Sequence, residues 1–323
     1  MNADRVTYEV NLSNIEHNFR EIKRFTNNAE IIAVIKADGY GHGAIPLAEL
    51  YEKLGATKLA VACINEALEL RRAGIKLPIL ILGPTPVSFA NLLTENDIAQ
   101  TVSSLEYAYE LDAAARKLSQ KVTVHIKLDT GMTRLGIYAH KGSVASAADD
   151  AEKIAKLPFL FAEGIFTHFA EAENDDISFS EEQFTAFEET VGILRQRGIT
   201  FNFCHCANSS AVVNYKRSHL SCVRPGLLLY GISPKAEMTE DLDLRPVMTF
   251  RSIVADVRDI KKGDYISYSR TFRAERNMKI AVICCGYADG LSRALSGCGE
   301  FEIHGKRAKI LGNVCMDLTV VDV

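Results

Sequence analysis

Ile31-Ile32-Ala33-Val34-Ile35-Lys36 is a short, wholly apolar run closed by a lysine. Such a run suits a strand buried on both faces, as the strands of a parallel sheet are. Similar runs recur at 58–63, 78–82, 98–102, 122–128, 162–167, 200–204 and 227–230, with helical segments between them. Ile64 to Ala73 reads as a helix stopped by Gly74. Ser178 to Arg197 reads as another, with Ser180 as its expected N-cap, Gln183 three residues on and Gly198 closing it. Eight strands alternating with helices predict a (β/α)8 TIM barrel rather than an open sheet. No Gly-rich dinucleotide-binding turn interrupts the alternation.

After about Pro234 the texture changes. Residues 247–256 and 279–285 alternate or run with β-branched residues, turns fall at Gly263, Gly286, Gly290 and Gly305, and helical periodicity is absent. That pattern predicts a second, all-β domain, which residues 6–10 (Val-Thr-Tyr-Glu-Val) are expected to join as a strand. The expected division is 1–10 with the β domain, 11–235 as the barrel and 236–323 as the β domain proper. The chain stops at Val321-Asp322-Val323 with no closing turn, so the β domain reads as C-terminally incomplete.

The 323 residues are 47% hydrophobic and 24% charged, as in an ordinary globular protein, and the net charge of −4 gives no basic footprint for nucleic acid or membranes. Met1 to Val6 lacks the apolar core of a signal peptide, and no apolar stretch approaches the roughly 20 residues a membrane helix needs. A cytoplasmic location is expected. Cys204, Cys206, Cys284 and Cys285 lie in apolar strand-like runs and read as reduced core residues. Cys204-His205-Cys206 with Cys222 does not match structural zinc spacing, so no metal site is expected.

Lys36 opens the string Ala37-Asp38-Gly39-Tyr40-Gly41-His42-Gly43. An amine at the end of a buried strand is desolvated, which favours the neutral form that condenses with aldehydes. The glycines let the following backbone turn sharply. A lysine that simply reaches solvent at a strand end has the same local pattern. In 122–129, Val122, Val124, Ile126 and Leu128 alternate with Thr123, His125, Lys127 and Asp129. A barrel strand turns the second set inward, and ionisable groups there require a polar network.

Asp129 to Gly136 then places Arg134 in the loop on the strand's C-terminal side, where sites of this fold lie. It reads either as a carboxylate clamp or as a surface ion pair. His168 ends another strand run. The stretch Cys206 to Ser210 follows the seventh strand, and Val223 to Leu227 leads into the expected eighth. The hydroxyl of Ser209 and the unhindered N–H of Gly226 suit a phosphorylated ligand at that corner of a barrel. Tyr268 and Cys315-Met316-Asp317 fall in the β domain, where nothing local marks them as chemical.

Taken in order, these motifs with Thr167-His168-Phe169, Ala207-Asn208-Ser209, Val223-Arg224-Pro225-Gly226 and Gly286-Tyr287-Ala288-Asp289-Gly290 resemble alanine racemases over nearly the whole chain. The resemblance implies a fold-type III pyridoxal enzyme working as a head-to-tail homodimer that interconverts L- and D-alanine for peptidoglycan. It implies that Lys36 carries pyridoxal 5'-phosphate as a Schiff base and exchanges protons on one face of the substrate. Tyr268 does so on the other face and, with Met316, reaches the site from the partner subunit. Arg134 resembles the residue at the substrate carboxylate, with Met316 also at the substrate, and Lys127 matches a lysine that is often carbamylated to hold that arginine. His168 resembles the partner that orients Tyr268.

Tyr40, His168, Asn208, Ser209, Gly226 and Leu227 match cofactor-binding positions, and Asp317 is a supporting residue. Arg224 matches the arginine facing the pyridine nitrogen. An arginine keeps its proton, so that nitrogen stays unprotonated and the ring is a weaker electron sink, which favours racemisation over transamination. Two departures stand out: family members usually continue past Met316-Asp317 by some tens of residues, and Thr133 replaces a position that is commonly small. A serine or broad-specificity racemase with the same machinery stays open. So does a non-catalytic pyridoxal-phosphate-binding protein, although Tyr268 and the 240–323 segment speak against it.

Overall fold

Residues 5–235 and 241–323 are described by the computed structural model. They group into two compact units, one spanning residues 11–247 and the other combining the N-terminal strand Val6–Val10 with 248–323.

The larger unit is a parallel barrel. Its strands run in the spatial order Cys222–Val223, Glu30–Val34, Lys58–Val61, Ile79–Ile81, Ile98–Val102, Val122–Asp129, Leu160–Phe166 and Phe203–His205. Each neighbouring pair along that path is parallel. Ile31, Ile32, Ala33, Leu59, Leu80 and Ile126 are fully buried, as strands covered on both faces require. The two terminal strands of this order meet without a ladder. There the Ser221 hydroxyl accepts from the Cys204 N–H at 3.3 Å and donates to the Cys204 carbonyl at 3.1 Å. Just beyond, the Arg224 N–H donates to the Ala207 carbonyl at 2.9 Å.

The eighth strand is not where the apolar pattern placed it. Leu227–Tyr230 is a 3-10 turn, and the strand is Cys222–Val223. Pro225 has no N–H to donate to a ladder, and Gly226, at φ −116° and ψ −86°, turns the chain away. The run is apolar because Leu228, Leu229 and Tyr230 are buried, with the Tyr230 hydroxyl donating to the Val34 carbonyl at 3.1 Å. Arg224 and Gly226 therefore follow the eighth strand instead of leading into it. The second correction concerns Ser180. It lies inside the helix Ser178–Gln196, buried, and its hydroxyl does not cap the helix. Asp176 accepts the Ser178 N–H at 2.9 Å instead.

The smaller unit is built of β-structure. Val6–Val10 pairs antiparallel with Met248–Ser252. Val254–Ile260, Met278–Ile283 and Thr319–Asp322 form an antiparallel sheet, and two further hairpins join Tyr265–Ile266 to Phe272–Arg273 and Glu300–Ile303 to Lys306–Lys309. Its core gathers Ala281, Ile283, Cys285, Ile310, Val314 and Val321.

Candidate active site

Lys36 stands two residues beyond the strand Glu30–Val34, at the C-terminal mouth of the barrel. The backbone after it is left-handed, with Ala37 at φ 53°, Asp38 at 53°, Gly39 at 62° and Tyr40 at 56°. For each non-glycine residue this conformation costs about 1–2 kcal/mol. Specific bonds hold it. One carboxylate oxygen of Glu66 accepts the Ala37 N–H at 2.7 Å and the other accepts the Ala62 N–H at 2.7 Å, while Asp38 accepts the Ala44 N–H at 2.7 Å. Gly39 is needed twice over, since a Cβ there would also fall 2.5 Å from Leu47 Cδ1. A strained turn clamped this firmly is characteristic of functional positions.

The turn delivers Lys36 and Tyr40 to a cavity of about 360 Å³ that Lys127, Arg134, His168, Asn208, Ser209, Arg224, Gly226 and Leu227 also line. Four of its described lining side chains are cationic (Lys36, Lys127, Arg134 and Arg224) and none is a carboxylate. Burial and the nearby Arg134 charge lower the Lys36 pKa, which favours the neutral amine. Lys127 is pushed down to about 8 by burial and by Arg134 and Arg224. His168 falls well below the ordinary histidine value through burial and the surrounding cations, so it is neutral. Its Nδ1 accepts from Arg224 Nη2 at 3.2 Å, which leaves the hydrogen on Nε2. Arg224 is itself buried and lowered to about 10, and so keeps its charge at neutral pH.

Ser209 opens the helix Ser209–Asn214, which Asn208 caps by accepting the Ala211 N–H at 2.9 Å. The Gly226 N–H, expected to be open, donates to the Ser209 hydroxyl oxygen at 2.9 Å. Of that pair, the Ser209 hydroxyl hydrogen is left to meet an anion. A Cβ on Gly226 would sit 2.7 Å from the Tyr40 hydroxyl, so the glycine makes room for that hydroxyl at the same corner. Two hydroxyls converging on a cationic, carboxylate-free cavity, beside an amine held toward its neutral form, fit a phosphorylated aldehyde.

The β unit holds the remaining candidates. Tyr268 is 73% exposed and lies among Ser267, Ser269 and Arg270, with φ of 64°, 60° and 52°. Asn313 fixes this loop by donating to the Tyr268 carbonyl at 2.8 Å. Met316 is exposed, and Asp317 accepts from Arg5 at 3.0 Å. Arg5 also pairs with Asp289 at 2.8 Å, and the Ala288 N–H donates to the Met316 carbonyl at 3.0 Å. The motifs 286–290 and 316–317, far apart in sequence, are thus one piece of structure.

Comparison with known proteins places these residues in context. The family description "Alanine racemase, N-terminal domain" matches residues 10–234, and "Alanine racemase, C-terminal domain" matches 247–323. An alanine racemase of Clostridium tetani is 42% identical, over 98% of this chain and 81% of its own. The structure of an alanine racemase from Clostridium difficile 630 superposes with a TM-score of 0.92 at 35% identity, over all of this chain and 84% of that one. A histidine racemase of Leuconostoc mesenteroides superposes with a TM-score of 0.88 at 27% identity, over all of this chain and 86% of that one.

Proposed function

The chain belongs to the alanine racemase family, and we propose that its barrel cavity and Tyr268 carry out the two proton transfers of that reaction. The activity is the interconversion of L- and D-alanine, with pyridoxal 5'-phosphate as cofactor. The observation that carries the site assignment is the convergence of Lys36, Tyr40, Ser209 and Arg224 on one cationic cavity.

Lys36 would hold the cofactor aldehyde through its amine, with the Tyr40 and Ser209 hydroxyls at the phosphate and Asn208, Gly226 and Leu227 shaping that end. The cofactor supplies an electron-withdrawing ring that makes the alanine α-hydrogen acidic. Arg224 would donate toward the ring nitrogen and so disfavour a proton there. Arg134 takes the substrate carboxylate. Lys127 is the natural site of carbamylation: its neutral amine nitrogen bonds to carbon dioxide and sheds a proton, turning a cation among cations into an anion beside Arg134. Inversion at a carbon requires proton removal on one face and delivery on the other. Lys36 serves the face on which D-alanine presents its hydrogen, and Tyr268 the opposite face, with His168 orienting it.

We assign Tyr268 and Met316 to the site of a second copy of the chain, in a homodimer with shared sites, with Asp317 and Arg5 bracing the Met316 segment. A cytoplasmic location and supply of D-alanine for peptidoglycan complete this reading. Among the described residues no helix is long and apolar enough to cross a membrane.

The same fold serves a histidine racemase, so the test compares substrates. A chiral assay of alanine, serine and histidine with added pyridoxal phosphate should show alanine racemised fastest. Lys36→Ala should lose both racemisation and the cofactor fixed to protein by borohydride. Faster racemisation of serine or histidine would overturn the substrate assignment, and a fixed cofactor persisting in Lys36→Ala would overturn the lysine.

A further inference from the structure

Behind Arg224 the barrel interior holds a row of polar side chains that the reaction outlined above leaves unused. Arg224 Nη1 lies 2.6 Å from His205 Nδ1, and His205 Nε2 lies 2.8 Å from His125 Nδ1. His125 Nε2 lies 3.1 Å from Glu163 Oε2, to which Lys58 Nζ also donates at 2.8 Å. The chemistry of the two ends fixes the direction of the row. A guanidinium has donors and no acceptor, and a carboxylate has acceptors and no donor. His205 Nδ1 must therefore carry a lone pair, and its Nε2 a hydrogen donated to His125 Nδ1. His125 Nε2 then carries the hydrogen donated to Glu163. Both rings are neutral and share one tautomer, and every bond points from Arg224 toward Glu163. Burial lowers the proton affinity of both rings, in keeping with neutrality. Burial opposes ionisation of Glu163, but hydrogen bonds from His125 and Lys58 outweigh it and hold its pKa at about 2.

Two backbone details make the row possible. Between the strands Val122–Asp129 and Leu160–Phe166, Val124 faces Ala162 but His125 faces Gly164. Glu163 is thus the extra residue of a bulge, a device that re-aims a side chain. Gly164 leaves room for the ring, since a Cβ there would fall 2.4 Å from His125 Nδ1.

At its other end the row settles which hydrogens of Arg224 are committed. Nη2 is occupied by the carbonyls of Thr167 at 2.7 Å and Cys206 at 3.0 Å and by His168 Nδ1 at 3.2 Å. Once one Nη1 hydrogen goes to His205, the Nε hydrogen and the second Nη1 hydrogen have no acceptor among the described residues. We propose that Glu163, acting through His125 and His205, is a positioning residue that orients Arg224 so that one of those two open donors reaches the cofactor ring nitrogen. This rests on the assignment of Arg224 to that nitrogen.

The test uses the holoenzyme with 15N-labelled histidine. Both His125 and His205 should show a protonated Nε2 and a bare Nδ1. Glu163→Gln keeps the shape but loses the charge and can turn an N–H toward His125 Nε2, so it should weaken that bond and shift the His125 Nε2 resonance while Arg224 still holds both tautomers. It should also lower kcat on the order of tenfold, as loss of an outer hydrogen-bonding partner does elsewhere, while cofactor affinity stays within about threefold. Glu163→Asp, still acceptor-only, should recover that resonance and most of kcat. A protonated Nδ1 on either ring of the unmodified protein would overturn the proposal, whether or not the variants fold. So would folded Glu163→Gln enzyme with unchanged kcat, or an Asp variant no better than Gln. Failure of the unmodified chain to bind pyridoxal phosphate would overturn the functional reading as well, and is seen separately from the tautomers.

Discussion

Lys127 carries the clearest pH signature of the site. Its pKa of about 8 in the folded protein lies below the 10.5 of a free lysine, because burial and the Arg134 and Arg224 charges disfavour the ammonium. Between those two pH values the unfolded chain binds a proton that the folded chain does not. Stability contributed by this residue therefore rises with pH from about 8 to 10.5, and below about 8 the penalty is present in full. In urea unfolding with carbon dioxide excluded, so that Lys127 is the free amine, Lys127→Met should be more stable relative to the parent near neutral pH than in alkali. An unchanged difference across the range would contradict the assignment. Lys36 and Arg134 could be picked out from sequence because their motifs are local. Glu66, Glu163 and His205 could not. Glu66 clamps the turn after Lys36 from a different helix, and Glu163 acts through a bulge. His205, read from its cysteine neighbours as a question of zinc, is defined by partners 19 and 80 residues away.

Where elements begin and end follows backbone chemistry more closely than apolar content. Leu227–Tyr230 had the composition of a strand and became a buried turn, because Pro225 and Gly226 end the ladder before it. The seven earlier strands were readable because each run is flanked by helical segments, although the seventh, Phe203–His205, starts later than the 200–204 run and the bulge at Glu163 left no mark in the pattern. The left-handed turn at 37–40 was only half visible. Glycines at 39, 41 and 43 signal it, but Ala37, Asp38 and Tyr40 share the conformation only because tertiary bonds hold them there. Ser180 shows the converse error, a residue type suited to a cap but sited inside its helix. Its buried hydroxyl has no hydrogen-bond partner among the described residues. Ser180→Ala should remove that unmet group and add helix propensity, raising stability by about 0.5–2 kcal/mol. A thermal melt in which Ser180→Ala is less stable than the parent would show that the hydroxyl has a partner.

The molecule divides its chemistry between two units. The barrel supplies a cationic cavity with Lys36, and the β unit supplies an exposed Tyr268. In both, the candidate base adjoins non-glycine residues at positive φ, a strain that folding sustains only where surrounding bonds enforce it. Which subunit's Tyr268 meets which cavity was outside the reach of local sequence patterns, since a lone tyrosine in a β loop has no local mark of function. The proposed dimer, with Tyr268 of the partner subunit completing each cavity, turns two half-sites into opposed bases. The isotope behaviour of Tyr268→Phe tests that opposition most directly. With D-alanine in deuterated water, the variant should keep exchanging the α-hydrogen through Lys36 while conversion to L-alanine is lost. Equal loss of exchange and conversion, with the cofactor still bound, would contradict the assignment of Tyr268 as the second base.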